Sequence, residues 1–229
     1  DLSGLKLITS DGAAESGNDQ AYDDQASQSS ITEGQTSTTI SDLFKNAVDS
    51  TSGADDPGSK VASGFHFVVD LPAEQNWIDS GLTHDGQAVY LILLNDHTLV
   101  GNTETDGSGT KVFQITVDPD SGEVSQTQYE NLDHSTPTDG SSVTDGIYNG
   151  VYSIDKVSLD ALDIRLEATV TVYDQEGTVV GDHVSATVTS GDIGSSFVFA
   201  DDGSAVKSVT TPDLSGLKLI TSDGAAESG

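Results

Sequence analysis

Carboxylates gather in this sequence at the places where strand signals stop. Asp118, Asp120 and Glu123 stand in VDPDSGEV, Asp174 and Glu176 in YDQEG, Asp201 and Asp202 in FADDGSAV, and Asp19, Asp23 and Asp24 in a polar stretch near the start. Loops rich in Asp, Glu and backbone carbonyls offer the six to eight oxygen ligands that a hard cation takes, so Ca2+ is the chemistry these residue types fit. None of the clusters has the twelve-residue helix-loop-helix calcium pattern. Asp and Gly are also the commonest turn formers, and the hairpin turn Asp118-Pro119-Asp120-Ser121-Gly122, with Gly at the left-handed position, accounts for Asp118 and Asp120 by itself.

Other chemistries find less support. The five histidines, His66, His84, His97, His134 and His183, are scattered, with no HExxH and no pair at helical spacing, which argues against zinc. A GxSxG nucleophile turn and a GxxxxGK[ST] phosphate loop are both absent. Paired carboxylates for glycoside hydrolysis carry no information when 38 acidic residues make pairs everywhere. With no cysteine there are no disulfides, no thiol catalysis and no Cys-based metal site.

The strongest pattern is a duplication. Asp1–Gly17 reads DLSGLKLITSDGAAESG, and Asp213–Gly229 repeats it letter for letter, an offset of 212 residues. Stacked solenoid repeats have periods of roughly 20 to 50 residues, so a period this long means that each repeat owns a complete core. Asp201 and Asp202 lie just ahead of the second copy, where a cation could fix one unit against the next, and there the metal reading is favoured over a plain turn.

The net charge of −30 repels nucleic acid and anionic lipid surfaces alike. No apolar run approaches the roughly 20 residues of a membrane span, no signal peptide opens the chain, and there is no Met, so the sequence reads as an internal fragment. Hydrophobic residues make up 34% against eight basic side chains, which is near the composition of disordered chains and suits a protein that folds when cations arrive.

The elements that must position these carboxylates are strands. Thr9 to Thr39 is small and polar and reads as a linker or long loop, and Ser41 to Val48 is the one helix candidate, with Ser41 as its cap. Strand signals follow at Phe65 to Leu71, Ala88 to Leu94, Lys111 to Val117, Glu123 to Tyr129, Ile164 to Tyr173, Val184 to Thr189 and Phe197 to Phe199. In IRLEATVTVY, Ile164, Leu166, Ala168, Val170 and Val172 alternate with polar or exposed partners, the period of a half-buried strand. Trp77 reads as a core anchor and His66 as a satisfied core residue. Many short strands joined by turn chemistry predict an all-β sandwich or barrel.

The stretches GFHFVVDL, SGLTHDGQAVYLILLNDHTLVGNT, KVFQITVDPDSGEVSQTQYENLDHS, LEATVTVYDQEGTVVGDHVSATV and FVFADDGSAV, in that order and spacing, resemble the long repeat domains of giant type I-secreted bacterial repeats-in-toxin (RTX) adhesins. The resemblance runs over roughly Ser41 to Val206. It implies an extracellular, calcium-stabilised Ig-like or cadherin-like β-sandwich with long acidic loops, Ca2+ near the junctions between domains, and a ligand-binding region projected from the cell by other parts of the parent. The sequence departs from it at Asp174-Gln175-Glu176-Gly177-Thr178, where such repeats often read DGDGD. A shorter likeness to cadherins, in FQITVDPDSGEVSQTQYENLD, sets Asp133 near a ligand position.

The expectation is therefore one extender domain over residues 1–206, with an opening strand and acidic loop in 1–39 and the sandwich core in 41–200. Residues 207–229 are then a linker and the start of the next repeat. Leu5–Thr9 and Leu217–Thr221 both have the character of a short strand, and the first is expected to open this unit. The expected partners are neighbouring identical repeats, with no nucleic acid, no membrane insertion and a monomeric unit. A calcium-dependent carbohydrate- or peptide-binding module is the alternative, and a carbohydrate-active enzyme the more distant one.

Overall fold

The structure is a computed structural model, and it describes residues 2, 5–10, 32–33, 35–50, 59–133, 156–173 and 183–200. The strands in chain order are β1 (Leu7–Ser10), β2 (Thr32–Glu33), β3 (Gln35–Thr39), β4 (Lys60–Val69), β5 (Trp77–His84), β6 (Gln87–Asn95), β7 (Thr98–Asn102), β8 (Lys111–Val117), β9 (Glu123–Gln128), β10 (Lys156–Ser158), β11 (Ile164–Tyr173), β12 (His183–Thr189) and β13 (Phe197–Ala200). One α-helix, α1 (Ser41–Ala47), lies between β3 and β4. The fold is an all-β sandwich. Its sheets run β3-β9-β8-β7-β6-β5, β12-β11-β4 and β10-β13-β1-β2.

β5 to β9 form an antiparallel meander, and β3 closes it against β9. Strand β8 lies at the heart of the fold because most of its side chains are apolar: Val112, Phe113, Ile115 and Val117 are buried, while Lys111 stays exposed. In β11 the alternation is kept from Ile164 to Val170, with Ile164, Leu166, Ala168 and Val170 buried and Arg165 and Thr169 exposed. All three sheets deliver side chains to one core that holds Phe65 and Phe67 from β4, Phe113 from β8, and Phe197 and Phe199 from β13. The Phe113 and Phe199 rings sit 4.6 Å apart and tie the meander to the sheet of β1.

The first copy of the duplicated segment is part of this core. Leu2, Leu5, Leu7 and Ile8 are buried, and β1 runs parallel to β13 with Leu7 opposite Phe197 and Ser10 opposite Ala200. On its other side β1 pairs with β2. The second copy, including Leu217–Thr221, lies outside the described residues.

Strand β9 meets β1 with polar side chains. Gln126 and Gln128 take the inward positions of β9; Thr9 Oγ1 donates to Gln128 Oε1 (3.0 Å), while Gln126 Nε2 donates to Thr9 Oγ1 (2.8 Å) and to the Val198 carbonyl (2.9 Å). Thr9 and Gln126 are fully buried. Buried amides and hydroxyls hold only one register well, because a slipped strand would leave them unpaired in an apolar setting.

Several expectations change. The stretch Thr9 to Thr39 is more than a linker, since it holds the end of β1 and all of β2 and β3; β3 (QTSTT) lacks an apolar period because it is half exposed along its length. Ser41 is the first helical residue rather than the cap. Ile40 holds the cap position, 1% exposed, and no side chain caps the helix there. At the other end the Lys60 ammonium donates to the Val48 carbonyl, supplying the cation that a helix C-terminus favours. Trp77 is half buried at the outer strand of the meander and packs edge-on against Tyr90, 5.4 Å away, instead of anchoring the core. His66 is half exposed, with Nδ1 2.9 Å from the Gly64 carbonyl oxygen and Nε2 3.5 Å from Glu167, so it is a surface residue of β4.

Candidate metal sites and the acidic turns

The β8–β9 hairpin carries three of the candidate ligands, and two of them, Asp118 and Glu123, accept hydrogen bonds through one carboxylate oxygen each. Asp118 Oδ1 accepts from the Asp120 amide (3.1 Å), the Ser121 amide (2.7 Å) and the Ser121 hydroxyl (2.8 Å). These hydrogen bonds hold the Asp118 carboxyl below the usual carboxylate range, the Ser121 amide contributing most. The turn closes with the Gly122 amide on the Asp118 carbonyl, and Gly122 has φ +69°, as a glycine at the left-handed position requires. A Cβ at Gly122 would stand 2.8 Å from the Phe65 ring. Glu123 turns to the neighbouring edge strand, where Oε1 accepts from the Ser37 hydroxyl (2.7 Å).

The shaped turn has a receiver. A bulge in β4 at Gly64 and Phe65 directs both of those amides to the Pro119 carbonyl, at 2.7 and 3.2 Å. One turn further along the same end of the meander, the Phe67 amide donates to the Asp96 carbonyl and His97 Nδ1 lies 2.9 Å from the Phe65 carbonyl oxygen. The hairpin thus clamps the meander to the β4 sheet.

A second carboxylate does the same work elsewhere. Asp133 accepts from the Asp85 amide through Oδ1 (3.1 Å) and the Gly86 amide through Oδ2 (2.8 Å), bracing the two-residue β5–β6 turn in which Asp85 has φ +50° and Gly86 φ +73°. The Gly86 amide, then the Thr83 side chain, hold the Asp133 carboxyl low. Nearby, His84 Nδ1 lies 2.7 Å from the Asn131 carbonyl oxygen, and the Asp133 amide donates to the Thr83 carbonyl. Asp106 Oδ1 takes the Ser108 amide (2.9 Å) in the β7–β8 loop, which buried Asn102 braces through the Gly107 and Gly109 carbonyls. Asp192 accepts the Ile164 and Gly194 amides and so starts β11. The sequence pointed to none of Asn102, Asp106 or Asp192; for Asp106 and Asp192 the signal that was there is an Asp two residues ahead of a serine or glycine in a turn.

Among the described residues no three His, Asp or Glu side chains come together to hold a metal ion, so Asp118, Asp120 and Glu123 are not assembled as a three-ligand group. The oxygens of Asp118 and Glu123 described above are met by donors of their own hairpin and of β3. Asp19, Asp23, Asp24, Asp174, Glu176, Asp201 and Asp202 lie outside the described residues.

The depressed carboxyls give the fold an acid-labile component. A carboxylate whose folded pKa is below its unfolded value contributes stability above the unfolded pKa and loses it as pH falls through the folded one. Asp133→Asn is therefore expected to lower the urea midpoint at pH 6 and to match the unaltered chain increasingly well below about pH 4. A midpoint difference that stays constant between pH 6 and pH 3 would contradict this role.

Fold and turns together define the class: an all-β sandwich domain whose acidic turns are locked by backbone amides. Residues 13–194 match a family described as a domain of unknown function, DUF5801, and the chain belongs to that family. No curated protein and no solved structure matches the chain.

Proposed function

We propose that this unit is a structural extender of a secreted, cell-surface bacterial adhesin, one spacer in an array that projects a binding region supplied elsewhere in the parent. The observation that carries this reading is the parallel pairing of β1 with β13. Leu7 faces Phe197 and Ser10 faces Ala200, so the chain comes into this strand pair at one end and leaves it at the other. An antiparallel pairing would return both connections to the same end and fold an array back on itself. With the same opening segment beginning again at Asp213, the geometry supports units that follow one another head to tail.

Calcium belongs to this proposal through the carboxylates beside the repeat boundary. Asp201 and Asp202, with Asp174, Glu176, Asp19 and Asp23, are the residues that would hold it, and bound Ca2+ would neutralise charge where successive strongly acidic units meet. No residue is assigned a catalytic role.

A binding module and a spacer differ in what they retain. On glycan and peptide arrays in millimolar Ca2+ the isolated unit is expected to give no signal above background. A saturable signal that a chelator abolishes would replace the spacer reading with that of a calcium-dependent binding module.

A further inference from the structure

The chain has two copies of one segment and, among the described residues, one slot that the segment fills. Everything that seats β1 on the segment's side lies within Asp1–Gly17: buried Leu2, Leu5, Leu7 and Ile8, and Thr9 with its two glutamine partners. Everything that forms the slot lies outside it: β13 on one flank, β2 on the other, and Gln126 and Gln128 beneath. The slot thus reads only the segment's own letters. Asp213–Gly229 carries the same letters, with Leu214, Leu217, Leu219, Ile220 and Thr221 in the equivalent places.

We propose that the β1 slot is a docking site for this segment supplied by a second copy of the chain, so that units associate by exchanging opening strands. An incoming segment makes the same hydrogen bonds and buries the same side chains as the resident strand it replaces, which is what makes strand exchange a low-cost route to association. The element exchanged is four residues long, and residues 11–31 separate it from β2, so β1 can leave its slot while β3 keeps its pairing with β9. Direction favours a second chain as donor. The segment must lie parallel to β13, with the Leu7 position beside Phe197, whereas the chain leaves β13 from the Ala200 end. Its own second copy would have to reverse and pass back along the strand before entering; another molecule presents the copy without that reversal. This inference does not depend on the spacer reading or on calcium, since it rests on strand chemistry alone.

The experiment uses the full chain with Leu7→Asp, with Leu219→Asp, and with both, followed by light scattering from 1 to 100 μM and by thermal melts. Leu7→Asp disables the resident strand and leaves the donor intact, so its mass is expected to rise with concentration from one chain to two or more, with a Tm near that of the unaltered chain at the high end. Leu219→Asp is expected to stay monomeric and stable, and the double variant to stay monomeric with a large loss of Tm. A fluorescent peptide of sequence Asp213–Gly229 is then expected to bind the double variant saturably and to raise its Tm, or to restore its β-sheet circular dichroism if it does not fold alone. The same peptide carrying the Leu219→Asp change is expected to do neither. The proposal is overturned if Leu7→Asp remains monomeric at every concentration, whether stable, because its own second copy closes the slot, or unstable, because the slot refuses it. It is equally overturned if both peptides act alike.

Discussion

Phe113→Ala is expected to lower the free energy of unfolding by about 3–5 kcal/mol, which for a chain of this size corresponds to a fall in Tm of roughly 6–20 °C. Phe113 is fully buried at the third position of β8, with the ring of Phe199 4.6 Å away on β13. On the adjacent strand β7 the ring lies against Gly101, where a Cβ would come within 2.2 Å of it. Removing the ring therefore opens a cavity at the point where the meander meets the sheet holding β1, and Gly101 has no side chain with which to fill it. Gly101→Ala is the reciprocal change, an overpacking that costs about 1–3 kcal/mol. Urea melts of both variants, with unchanged dependence on denaturant, check the pair; a loss under about 1 kcal/mol for Phe113→Ala, well below the range for a buried ring, would mean that the two sheets do not share this core.

Calcium is expected to raise Tm substantially while magnesium does so weakly. A ligand that binds the folded state alone stabilises it by about 2.7 kcal/mol at a hundredfold excess over Kd, so each site adds roughly 5–10 °C for a domain of this length. The chain has no disulfide to hold it, and charge repulsion at −30 opposes compaction until cations offset it. Asp201 and Asp202 replaced together by Asn should remove part of the calcium increment, and Asp118→Asn should leave the increment intact while lowering stability in chelator and calcium alike, because its Oδ1 braces the turn. Calorimetric scans that superimpose in chelator and in millimolar Ca2+ would remove calcium from the account.

How much of this could be read from the letters depends on burial. β8 and β11 were legible to the residue, because each buries several apolar side chains in a short run, those of β11 at alternate positions from Ile164 to Val170. The β8–β9 hairpin was legible from turn chemistry alone, down to the left-handed Gly122. β3 was not: QTSTT lies half exposed beside β9, and a threonine-rich edge strand has the composition of a loop. β5 was missed although Asp85-Gly86 is a strong two-residue hairpin signal, because its bulge between Asp79 and Leu82 breaks the alternation that would mark the strand. β9 carries Gln126 and Gln128 where an inner face should be apolar, and only the placement of Thr9 opposite them makes sense of it. Of the candidate ligands, the turn role of Asp118 could be read from spacing, whereas the role of Asp133 needed the hydrogen bonds with Asp85 and Gly86, nearly fifty residues away in sequence.

The reading of an extender rests on units that continue along one direction and are stiffened where they join. Small-angle scattering of four linked units, in millimolar Ca2+ and in chelator, measures both properties at once. The account predicts a rod whose maximum dimension grows in proportion to the number of units in Ca2+, and a shorter, more flexible particle in chelator, with Asp201→Asn/Asp202→Asn resembling the chelated state. The same maximum dimension in both conditions, or a compact particle in Ca2+, would contradict it.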